Sequence, residues 1–94
     1  MAKEQDEHLQ RIVHRLLQEG KRDLLAQVLK ALADANPRSF DRKRLVSRLV
    51  LNIALFDANA WPSKQQHQVE MIMALIRKSR LKSADLIAPL TLLS

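Results

Sequence analysis

Three histidines, ten carboxylates and no cysteine are what this 94-residue chain offers for acid–base, nucleophilic or metal chemistry. Their spacing suits none of it. His8 and His14 fall on one stretch with helical periodicity, six residues apart, and so stand about 240° from each other around its axis. A helical metal pair needs a separation of three or four. His14 lies beside the apolar stripe rather than on it, and His67 has no histidine near it in sequence, so all three read as solvated side chains. Glu4, Asp6 and Glu7 crowd a first helical turn, where negative charge complements the positive end of the helix dipole. That is a structural role, not an acid–base pair. The absence of cysteine excludes a disulfide scaffold, a thiolate zinc site and a cysteine nucleophile. No phosphate-loop, dinucleotide, nucleophile-elbow, zincin or calcium-loop pattern occurs, and a single glycine cannot build a phosphate cradle. The expectation is a protein that is not an enzyme and holds no metal or cofactor.

Charge is the more informative chemistry. The chain carries 16 Lys and Arg against 10 Asp and Glu, a formal net charge of +6. Residues 37–48 hold Arg38, Arg42, Lys43, Arg44 and Arg48 against the single acid Asp41. Residues 77–94 hold Arg77, Lys78, Arg80 and Lys82 against Asp85, and the rest of the chain is nearly neutral. Cations at a helix start face the positive end of its dipole and cost a few tenths of a kcal/mol each, roughly, until an anion is present. Phosphates reverse that cost, release counterions and give affinity independent of sequence. These nine basic residues are therefore the candidate nucleic-acid contacts.

Base reading has less support. A helix-turn-helix wants a small residue four before its turn glycine, and Leu16 occupies that place ahead of Gly20, with Ala26 six residues after it. Aromatic platforms for single strands reduce to Trp61 and Phe40, since Phe56 belongs to the core pattern. Phe40 reads as a staple under a helix start.

The elements that must position these residues are helices. Seventeen Leu and eleven Ala against five Val, five Ile and no Tyr starve any sheet and predict an all-α fold. Residues 4–19 place Leu9, Ile12, Val13, Leu16 and Leu17 on one stripe, and Gly20 ends the run. Residues 21–35 repeat the pattern with Leu24, Leu25, Val28, Leu29 and Leu32, giving a helical hairpin closed by Asn36-Pro37. Ser39 or Asp41 can cap a third helix over 39–56, whose second half is apolar nearly all round and so predicts a central helix. Ser63 and Gln66 form a capping-box pattern opening a fourth helix over 63–80, with Val69, Ile72, Met73 and Ile76 inward and Met71 and Leu75 widening the stripe. Ser83 can cap a short turn over 84–88 that Pro89 ends, leaving an apolar tail. The whole is a single domain, 1–94, of four helices plus a short fifth helix or turn.

Apolar residues exceed what so small a core encloses: Leu51 and Leu55 on the outer side of the third helix, and Leu86, Ile87, Leu90, Leu92 and Leu93 at the end. Trp61, Leu90, Leu92 and Leu93 are accordingly the candidate partner contacts, although Trp61 reads more readily as a cap over a bundle end. No uncharged apolar run is long enough to span a membrane, and the opening residues Lys3, Glu4, Asp6 and Glu7 do not resemble a signal peptide. The expectation is a cytoplasmic, self-associating regulatory protein that binds nucleic-acid backbone. The alternative is an adaptor, anti-activator or immunity-type inhibitor whose basic surface and apolar tail meet an acidic protein.

Overall fold

The computed structural model describes the backbone of residues 2–35 and 40–94 and the side chains of residues 3–35 and 41–94. Five helices account for most of it: α1 Ala2–Gln18, α2 Arg22–Asp34, α3 Phe40–Ala54, α4 Pro62–Lys78 and α5 Ser83–Leu93. No strand occurs among the described residues, and the fold is all-α.

Two helices end in the same way, with one residue in the left-handed region. After α1, Gly20 takes φ 76°, and the Lys21 and Gly20 amides donate to the Leu16 and Leu17 carbonyls at 2.9 and 3.2 Å. After α4, Arg80 takes φ 57°, and the Leu81 and Arg80 amides donate to the Ile76 and Arg77 carbonyls at 3.3 and 3.0 Å. Both are Schellman ends that satisfy orphan carbonyls, and at the second the buried Leu81 supplies the usual apolar contact. Glycine reaches the left-handed conformation without steric cost; an arginine does not.

Successive helices run in alternating directions. The Arg22 guanidinium, at the start of α2, donates to Ala54 at the end of α3 (3.1 Å), and Lys21 donates to Leu93 at the end of α5 (2.6 Å). At the other end of the bundle Arg42, in the first turns of α3, donates to the Ser79 and Arg80 carbonyls beyond α4 (2.9 and 3.2 Å). In each case a cation satisfies carbonyls at a helix C-terminus, where the dipole favours positive charge. The core they close is aliphatic: Leu9, Val13, Leu16, Leu17, Leu25, Leu29, Leu49, Ile53, Val69, Ile76, Leu86 and Leu90 are buried, with Phe56 and Met73. α1 packs against α2, α4 and α5, while α3 packs against α2 and α4.

Several sequence expectations need correction. α3 is not surrounded: Leu51 and Leu55 are 57% and 68% exposed, and α1 and α2 each pack against three other helices where α3 packs against two. The Ser63–Gln66 capping box does not form, because α4 begins one residue early at Pro62, which needs no N–H at a helix start. Instead the Gln65 amide donates to the Ala58 and Ala60 carbonyls at 2.8 and 2.9 Å, and Gln66 donates to Glu70. Asp41 lies inside the first turn of α3 and does not cap it. Residues 84–88 are not an isolated turn: α5 continues through Pro89 to Leu93. A proline inside a helix removes one backbone bond, at a cost of about 3 kcal/mol. Full burial of Leu86 and Leu90 on either side of it offsets that loss and holds the helix on the bundle. Ser83 does not cap α5 either; its hydroxyl donates to the Asp6 carboxylate. The Asn36-Pro37 stop, the Ser39 cap, Arg38 and the Phe40 staple lie outside the residues or side chains described.

Candidate nucleic-acid interface

The first turns of α3 and the end of α4 belong to segments more than thirty residues apart in sequence, and Arg42 joins them. Its guanidinium, half-buried, donates to two consecutive carbonyls of the turn that holds Arg80. The Ser79 hydroxyl turns inward and donates to the Leu75 carbonyl at 2.7 Å, while the Ser79 carbonyl accepts from Arg42. Both basic segments thus reach one end of the bundle. Lys43 and Arg44 on α3, and Lys78, Arg80 and Lys82 around the α4–α5 turn, are exposed there, and Arg48 is exposed about one turn further along α3 than Arg44.

Arg80 is held outward by its left-handed backbone, a conformation that costs a side-chain-bearing residue about 1–2 kcal/mol. Arg77 faces the other way. It lies 3.9 Å from the Asp6 carboxylate, which also accepts the Ser83 hydroxyl, so the acidic start of α1 neutralises one flank of the basic end. The sequence assigned Asp6 to the helix dipole alone. Its long-range partners Arg77 and Ser83 leave no local signal, because only the packing of α1 beside α4 and α5 brings them together.

Two open concavities adjoin this end. One, of about 440 Å³, lies between α2 and α3, with Ala33, Val46 and Val50 as its apolar floor and Lys30, Asp34 and Lys43 at its rim. The other, of about 480 Å³, lies between the start of α1 and the α4–α5 turn, and Asp6, Arg77, Arg80, Lys82 and Ser83 line it. Among the described residues no three His, Cys, Asp or Glu side chains converge as a metal site. His8 and His67 are exposed, whereas His14 is half-buried, its ring edge-on to Phe56 with centroids 6.4 Å apart. Gln18 and Gln65 lie beside it and hydrogen-bond to each other.

The candidate partner residues are scattered. Leu90 is fully buried in its own bundle and Leu93 half-buried, so the end of the chain folds back rather than standing free as an apolar tail. Leu92 is 87% exposed, and Trp61 is 82% exposed and covers no bundle end. Trp61 is instead the N-cap residue of α4, its carbonyl accepting the Gln65 backbone N–H at 3.0 Å. Met71, expected to widen the inward stripe, is 45% exposed. No described helix is long and apolar enough to cross a membrane. Set against known protein families, curated proteins and solved structures, the chain shows no significant match to any.

Proposed function

We propose that this is a small cytoplasmic regulatory protein that binds nucleic-acid backbone through the end of the bundle formed by the start of α3 and the end of α4, without catalysis of its own. The observation that carries the reading is the bridge from Arg42 to the Ser79 and Arg80 carbonyls. It joins two basic segments, and the exposed cations on them are held by helical structure, Lys43, Arg44, Arg48 and Lys78 on α3 and α4 and Arg80 in the hydrogen-bonded turn that closes α4. Rigid placement favours phosphate contact, because less side-chain and backbone freedom is lost on binding. A second support is Arg80 itself. A glycine would fit its backbone better, and retaining a cation at that place is useful where its charge is used.

Contacts of this kind position a protein on a duplex without reading bases. The test is the salt dependence of binding to mixed-sequence duplex DNA and to structured RNA. Each phosphate contact contributes about 0.9 to the slope of log K against log salt on duplex DNA. Arg44→Ala, Arg48→Ala and Lys78→Ala should each flatten it by about one unit and weaken all sequences alike. Unchanged slopes in all three variants would remove nucleic acid as the ligand.

A further inference from the structure

The outward side of α3 and α4 carries exposed apolar residues that phosphate binding does not use. On α3, Lys43, Val46, Ser47 and Val50 line the groove toward α2, and Arg42 reaches α4. That leaves Arg44, Arg48, Leu51 and Leu55, spaced four, three and four apart, as one exposed stripe facing away from the bundle. On α4, Gln68 faces the α3 side, its Oε1 accepting the Asp57 backbone N–H at 3.4 Å, and Arg77 faces α1 through Asp6. Met71 and Lys78 then point outward beside the α3 stripe, because α3 and α4 pack together. The result is a two-helix face with apolar Leu51, Leu55 and Met71 in its length and Arg44, Arg48 and Lys78 toward the basic end.

The geometry points to this face as a docking site for an acidic amphipathic helix of another protein. Charge complementarity selects that occupant. A nucleic acid would match the three cations and leave Leu51 and Leu55 against water or phosphate. A second copy laid parallel, face to face, would bring Arg44, Arg48 and Lys78 against their own kind, and one laid antiparallel would set them against the apolar end of the other copy with no anion to meet; neither complements the charge. A helix with apolar residues at three-and-four spacing and carboxylates along its edges meets both halves of the face at once. Such a helix and a nucleic acid would share Arg44, Arg48 and Lys78, so the two ligands exclude each other on one molecule. The docking site does not depend on the nucleic-acid reading, since its signature is the requirement for Leu51 and Leu55.

The probe is a synthetic helix-forming peptide of about 15 residues, four turns, with leucines at three-and-four spacing flanked by glutamates. Its binding is followed by fluorescence anisotropy at about 0.15 M salt, where charges more than about 8 Å apart are largely screened and only close pairs contribute. The expected result is micromolar binding that falls at least tenfold, as an order of magnitude, with L51S/L55S and again with Arg44→Glu. A peptide with lysine in place of glutamate should not bind. The substituted side chains are exposed, and an unchanged helical circular dichroism spectrum verifies the fold of each variant. L51S/L55S should leave nucleic-acid binding as it was, which separates failure here from failure of the phosphate-contact reading. Absence of peptide binding overturns the proposal, as does equal affinity of the wild-type and L51S/L55S proteins, which marks plain polyelectrolyte attraction. It is also overturned if L51S/L55S abolishes only binding to anionic phosphatidylserine vesicles, or only self-association in sedimentation equilibrium.

Discussion

Arg42 and Arg80 show how differently two arginines of one basic end are used. Arg42 is structural: half-buried, it closes the C-terminus of α4 with two charge-assisted bonds. We expect Arg42→Ala to lower unfolding stability by about 1–3 kcal/mol in urea titration, because two carbonyls lose their donor. An unchanged urea midpoint would show that solvent satisfies those carbonyls as well. Arg80 carries the opposite sign. Arg80→Gly relieves a left-handed backbone and should raise stability by about 1 kcal/mol, while reducing the salt slope of nucleic-acid binding by about one unit. A gain in stability with no change in slope would leave Arg80 outside the interface. The basic character of both was legible from the chain; their division of labour was not, because it depends on which carbonyls lie within reach.

At the scale of elements, α5 is the sharpest departure from what the chain implied. Pro89 marks a helix stop by local rules, and it is overridden by burial on both sides of it. Leu86 and Leu90 are both fully buried, whereas Leu92 is exposed. Leu90→Ala should therefore cost about 2–5 kcal/mol in stability, and Leu92→Ala less than about 0.5 kcal/mol. Thermal or urea unfolding distinguishes them, and equal small effects would mean that α5 beyond Pro89 is not docked. The inward stripes of α1, α2 and α4 were legible because strong periodicity identifies a buried face without reference to partners, except at their edges, where Leu24 of α2 and Met71 of α4 are exposed. The exposure of Leu51 and Leu55 was legible for the same reason, as residues off the stripe. The central position given to α3 was a misreading of those same residues: an apolar helix surface signals burial only when neighbours cover it. The Ser63–Gln66 pattern failed through competition, since Pro62 starts the helix first and Gln66 donates to Glu70 instead.

Taken whole, the molecule sorts its charge by packing. Alternation of helix direction puts the starts of α1 and α3, the end of α4 and the start of α5 at one end, joining cations from residues 42–48 and 77–82 beside the acidic opening of α1. Sequence revealed that these cations were clustered along the chain. It could not reveal that Asp6 would cover one flank, because that pairing spans more than seventy residues. Arg44, Arg48 and Lys78, on the flank away from Asp6, carry the central claim, since they are exposed and none of them is among the cations that cap a helix end. The most direct measurement is the affinity of the wild-type protein and of the Arg44→Ala, Arg48→Ala, Lys78→Ala triple variant for mixed duplex DNA and structured RNA, at about 50 and 200 mM salt. The account predicts binding by the wild type that falls steeply between those concentrations, and a slope about three units shallower for the triple variant at unchanged stability. Absence of wild-type binding at the lower salt, or equal slopes for the two proteins, would contradict it.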